Sequence, residues 1–170
     1  MTVAGTGGFD VTAAELNAIL PGLNNAGGSL VLGRTDSTAA LTIGAAHNFG
    51  VGSRVTLAAG SITDANTTNR TLTATDLTLY ANSGNIGGAG NNAIDVAASN
   101  LVVGGNNQSA FVRSATGLNF GSSTSNLGSG SLVATAANGA ITQSGAIVAT
   151  GAATTFNAGT STVTLANASN

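Results

Sequence analysis

Leu77-Thr78-Leu79-Tyr80-Ala81-Asn82-Ser83-Gly84-Asn85-Ile86-Gly87 overlays Leu132-Val133-Ala134-Thr135-Ala136-Ala137-Asn138-Gly139-Ala140-Ile141-Thr142 without a gap. Leu, Ala, Gly and Ile recur at the same four places, 55 residues apart. Two more overlays accompany it. Ala93-Ile94 falls on Ala146-Ile147, and Thr162–Asn170 falls on Ala40–Asn48. Self-similarity of this kind marks a stack of repeated units, and a spacing near 55 divides into two or three coils of roughly 18–27 residues.

The repeated device is a short apolar-Thr-apolar strand followed by a small-residue corner. Leu41-Thr42-Ile43, Val55-Thr56-Leu57, Leu77-Thr78-Leu79 and Val163-Thr164-Leu165 are four copies. In a strand, alternate side chains face opposite ways, so Leu, Ile and Val point inward and Thr points to water. From Ser29 onward the candidate strands are short and closely spaced, and every link carries Gly, Asn, Ser or Ala. Thr71–Ala74 and Leu77–Ala81 read as separate strands, as do Ile94–Ala97 and Leu101–Val103. A β-sandwich would show longer strands and sharper hairpin turns. The expected architecture is therefore all-β: a parallel β-helix, or β-solenoid, of roughly seven or eight coils about 4.8 Å apart.

Composition agrees with a narrow interior. Of 170 residues, 42% are hydrophobic but only 4% aromatic, so the core is built from Val, Ile, Leu and Ala. Charged residues are 6%, against about 25% in ordinary soluble domains. The four basic residues, Arg34, Arg54, Arg70 and Arg113, are scattered, and no basic patch exists to grip a phosphate backbone. Nucleic acid is thus not an expected partner. Cysteine is absent, which excludes disulfides and Cys-based zinc sites. No run of 18 apolar residues is present.

Residues 1–28 read as an entry segment with a short helix, and residues 29–170 as the solenoid repeats. Thr12-Ala13-Ala14-Glu15 fits a capping box, Leu16, Ile19 and Leu20 follow at helical spacing, and Pro21-Gly22 ends the pattern. The expected helix spans about 12–20. Met1 leads directly into Thr, Val, Ala and Gly, and the last residues, Ala-Asn-Ala-Ser-Asn, fall inside another rung. The chain reads as a fragment of something longer.

Three stretches carry a resemblance: Gly139–Gly159 with Val163–Asn170, Ala46-His47-Asn48-Phe49-Gly50, and Leu72–Gly87. Together they resemble the repeats of filamentous-haemagglutinin-like adhesins. The resemblance covers most of residues 29–170. It implies a right-handed parallel β-helix in a long exoprotein of a Gram-negative bacterium, secreted through an outer-membrane transporter by two-partner secretion. It further implies a place at the cell surface, as an adhesin, a biofilm matrix protein or the stalk of a contact-dependent toxin. Glycans of a host cell, a neighbouring cell or a matrix are the partners implied. A chain without disulfides suits passage through a pore.

The residues themselves name no catalytic, cofactor or metal site. The acids Asp10, Glu15, Asp36, Asp64, Asp76 and Asp95 are spread over many coils, whereas polysaccharide-cleaving sites need clustered carboxylates. Asp64 and Asp76 are the one pair expected to approach across neighbouring coils, with Arg70 between them in sequence. Gly87-Gly88-Ala89-Gly90 begins like a calcium-binding repeat but continues Asn91-Asn92, without the Asp ligand. His47 is the only histidine and is expected at a corner. Tyr80 is expected to face outward as a contact residue or a plain surface aromatic. Asn66, Asn69, Asn107 and Asn167 each begin a glycosylation triplet, a common coincidence in so Asn- and Thr-rich a chain. The expected role is a non-enzymatic structural stalk. The alternative is a Thr-rich ice- or carbohydrate-binding solenoid, hinted at by Thr71-x-Thr73-x-Thr75. Unprotected coil edges favour end-to-end self-association.

Overall fold

Every strand pair among the described residues is parallel, and from Ser29 onward each strand pairs with one a coil away in sequence. The computed structural model describes residues 2–3, 10–25, 28–65, 70–151 and 153–170. Within them the chain winds into a parallel β-solenoid of about six turns, slightly fewer than the composition and spacing suggest. At about 4.8 Å per coil the stack is about 30 Å long.

Each coil contributes to three faces. The first carries Ala40–Ile43, Ser61–Asp64, Ala110–Ser114, Leu132–Ala136 and Thr155–Asn157. The second carries His47–Asn48, the early part of Leu72–Ala81, residues 96–98 of Ile94–Gly105, then Leu118–Phe120, Ile141–Gln143 and Val163–Thr164. The third carries Ser29–Gly33, Arg54–Ala59, the later parts of the two long strands, Ser125–Gly128 and Ile147–Ala149. Register fixes the columns: Leu32 on Leu57 on Leu79 on Val103 inside the third face, and Ala110 on Leu132 inside the first.

The core is a set of aliphatic columns. Leu41, Leu57, Leu72, Leu79, Leu101, Leu132 and Ile141 are fully buried, each contributing about 1.5–3 kcal/mol relative to exposure. Thr42, Thr56 and Thr78 lie between them on the outward side, only partly covered, as the strand period requires.

Thr71–Ala74 and Leu77–Ala81 are not separate: one strand, Leu72–Ala81, runs through both, and Ile94–Gly105 runs from the first face, where Ile94 and Asp95 pair with Val112 and Arg113, through the second to the third. The corner survives as a break in alternation at Thr75-Asp76, where two successive residues are half-buried. In the next coil the corner reopens, because Phe120 pairs with Leu101 and Asn126 with Gly104. The strands His47–Asn48 and Ser125–Gly128 have few apolar residues to announce them.

The helix begins as expected and ends later. Thr12 N–H donates to Glu15 Oε2 at 2.8 Å, and Glu15 N–H donates to Thr12 Oγ1 at 3.2 Å, the reciprocal capping box. The helix then continues through Pro21 to Asn25. Proline removes a single intrahelical bond and crowds one carbonyl, and here the next turn forms regardless. Ahead of the helix, Thr2–Val3 and Asp10–Val11 extend the first sheet in parallel. Leu16 belongs to the same buried cluster as the coil aliphatics, with Val11, Leu20, Leu30 and Leu32 packed against it. It closes the amino-terminal end of the column.

The overlays seen in the sequence relate strands on different faces. Leu77 lies on the third face and Leu132 on the first; Leu41 lies on the first and Val163 on the second. True register partners are 21 to 25 residues apart along most of the stack. The repeated unit in the sequence is thus one strand with its corner, used on all three faces, and not one whole coil.

Candidate functional site

Side chains along the outside of the stack form two kinds of polar ladder. At the corner between the second and third faces, Thr142 Oγ1 donates to Asn119 Oδ1 at 3.0 Å. Asn119 Nδ2 donates to Asn100 Oδ1 at 3.2 Å, and Asn100 Nδ2 donates to Asp76 Oδ1 at 2.7 Å. Arg54 Nε lies 3.5 Å from Asp76 Oδ2. All donors in the run point toward the amino-terminal end and finish on a carboxylate. Near the edge of the first face, the backbone N–H of Ser109 donates to Asn85 Oδ1 and that of Ser131 to Ser109 Oγ, each at 3.1 Å. Asn48, Asn126 and Asn157 instead close their own corners, each accepting from the N–H two residues on.

The acids sort into three local roles. Glu15 caps the helix, and its bonds to Thr12 hold its carboxyl below the ordinary range. Asp36 pairs with Arg34 on the surface at 2.5 Å. Asp76 anchors the ladder with Arg54 and does not meet Arg70. The cluster forms around Asp95, which is 5% exposed. Arg113 grips it in a fork, Nε to Oδ1 at 2.6 Å and Nη2 to Oδ2 at 2.8 Å. Arg70 N–H donates to the same carboxylate at 3.3 Å, while its guanidinium bonds the Ile43 and Gly44 carbonyls. The bond to Asp95 raises the Arg113 pKa, with a smaller Coulombic contribution from Asp64. Asp64 and Arg70 therefore do enter a common neighbourhood, with Asp95 and Arg113 in place of Asp76. Among the described residues no group of three or more His, Asp or Glu gathers as a metal site would require.

His47 is not at an exposed corner. It is 6% exposed, and its ring meets Phe49 edge-on with centroids 4.7 Å apart. Nε2 is buried without a hydrogen-bond partner among the described residues. Desolvation lowers its pKa, so the ring is neutral at pH 7. His47 sits two residues before buried Phe49 and in register with Leu72, a pairing that the local sequence does not announce.

Tyr80 does face outward, and its ring lies against Gly104 of the next coil; a Cβ there would sit 3.0 Å from Tyr80 Cδ2. Thr71-x-Thr73-x-Thr75 does not extend into a second Thr file, since Thr73 is registered on Ala97. Asn66 and Asn69 lie outside the described residues. Asn107, at φ 61°, accepts the Ser129 N–H, and Asn167 donates to Ser144 O.

Gly87–Gly90 begins an excursion from the coil. Ile86 pairs with Ala110 and Ile94 with Val112, so eight residues span what two span in the next coil. The excursion folds on itself in a single 3₁₀ turn, Gly90–Asn92, with Gly88 N–H donating to Asn92 O at 2.9 Å. It walls a cleft of about 240 Å³ over the first face, beside Phe111, Arg113, Val133 and Thr135. A second cleft, of about 260 Å³, lies at the carboxy-terminal edge among Ile147, Phe156 and Leu165.

No helix among the described residues is long and apolar enough to cross a membrane. Residues 105–170 match a family model described as repeats of unknown function (DUF5649). Comparison with the curated proteins and with the solved structures finds no match.

Proposed function

We propose that the chain is a structural stalk segment of a secreted bacterial surface adhesin, a non-catalytic rod that supports cell adhesion or biofilm formation. The observation that carries this reading is the continuous stack. Backbone ladders, aliphatic columns and outward Asn, Ser and Thr ladders tie each coil to the next, over a surface with very few charges. Such a unit is stiff along its axis and extends by adding coils. The resemblance of most of residues 29–170 to filamentous-haemagglutinin-like repeats supplies the cellular setting, and the match of residues 105–170 to a repeat family agrees with a modular spacer.

Beads coated with the chain alone test this reading under flow. A stalk gives no more capture of cells than an albumin coat. Placed beneath a known binding module, the same chain increases capture by lifting the module off the bead. Strong capture by the chain alone would overturn the spacer role and favour the binding alternative. For an ice-binding surface, thermal hysteresis is the readout, and the Thr73–Ala97 register opposes it.

A further inference from the structure

We propose that the cleft beneath the 88–93 excursion is a binding notch for a neutral sugar ring. The six extra residues interrupt the first-face ladder between Ile86 and Ile94. What they make is a wall. Facing it, Phe111 and Val133 are register partners, both on the outward side of their strands, and form an apolar floor two coils wide. Among the described residues only Tyr80 and Phe111 are aromatics with outward strand positions. Tyr80 is laid down on Gly104, whereas Phe111 borders open space.

The polar groups of the notch select for a neutral ligand. Arg113 is held in its fork by Asp95, so an anion would have to compete with a bidentate pair already in place. Asn91 accepts from Arg113 Nη1 at 3.4 Å, which orients its amide, and its nitrogen has no bond among the described residues. Thr135, in register with Arg113, likewise carries an uncommitted hydroxyl. An apolar floor flanked by an amide donor and a hydroxyl matches a pyranose, which has an apolar C–H face and a hydroxyl rim. A volume of about 240 Å³ is smaller than the roughly 300–1,000 Å³ of sites that enclose a drug-sized ligand. It suits one ring, bound weakly with a millimolar Kd. The notch is built from two coils and the excursion, and it stands or falls independently of the stalk reading.

The test is a ¹H–¹⁵N NMR titration of the full chain with methyl β-glucopyranoside, methyl β-galactopyranoside and cellobiose. Expected are saturable shifts with at least one of them, confined to the amides of 88–93, 111–113 and 133–135. Phe111→Ala should weaken that binding about tenfold or more, and Tyr80→Ala should leave it unchanged. Thr135→Trp, which fills the notch from its other side, should abolish it and serves if Phe111→Ala does not fold. No saturable shift with any of the three sugars, shifts that survive both notch variants, or tighter binding of glucuronate than of the neutral glucoside would overturn the proposal.

Discussion

His47 shows how a single side chain is governed by its neighbours. Residue type suggested a corner, because histidine is polar and the surrounding Ala46 and Asn48 are small or polar. The deciding fact is its register with Leu72, which turns the ring inward beside Phe49. A pairing between residues 25 apart is not visible in local pattern. Its consequence is measurable. The folded state holds this imidazole with a pKa below 6.5, so the unfolded chain binds more protons than the native one in the window between that depressed value and about 6.5. Stability is therefore complete above that window and is lost as pH falls through it. Urea midpoints should drop between pH 7.5 and pH 5, and His47→Phe should flatten much of that slope. A pH slope unchanged by the substitution would assign it to other groups. Arg113 makes the second residue-level case. Removing it leaves the Asp95 carboxylate buried without its fork, and Arg113→Met should cost about 3 kcal/mol in urea denaturation.

At the level of the element, local rules predicted the start of the helix and the inward or outward sense of the strands. Thr12 and Glu15 form the capping box that their spacing announces. Thr12→Ala should cost about 1 kcal/mol, read as faster amide exchange in the helix. Where the helix ends was not legible, because Pro21 is a breaker only on average. Strand boundaries failed where the chain turns a corner without leaving extended geometry, as at Thr75-Asp76. Glycine sets some corners firmly. Gly33 has φ 92°, and a Cβ there would fall 1.9 Å from the Ala58 carbonyl oxygen of the next coil. Gly33→Ala should therefore destabilise by about 3 kcal/mol, seen as a lowered thermal midpoint, whereas an exposed glycine with open space, such as Gly22, should tolerate alanine in the helix. Of the candidate notch, only the Gly87-Gly88-Ala89-Gly90 signal stood out in sequence. Its partners Phe111, Val133 and Thr135 are assembled by register, which no short motif encodes.

For the molecule as a whole, repetition identified the solenoid and bracketed its coil length, since register partners 21 to 25 residues apart fall within the expected 18–27, but the 55-residue overlay joins different faces. One strand-and-corner unit serves three faces, so the best overlays join positions that never sit above one another. The two ends of the stack differ. Leu16 is buried at one end, while the other shows the apolar cleft bordered by Ile147, Phe156 and Leu165. The isolated chain is expected to associate through that open edge, because an unpaired strand edge is a template for another. Sedimentation should show a concentration-dependent dimer, reduced by Leu165→Glu and unaffected by Ile19→Glu on the helix. A strictly monomeric chain at high concentration would contradict this.

The covered end also precedes the coil strands in sequence. Leu16 and the capping box lie ahead of Ser29 and seal the bottom of the column. Each later rung then meets a finished edge as it appears, and closes only about two dozen residues of loop. Assembly can proceed in one direction, rung upon rung, with neither a long search nor a wait for the last residue.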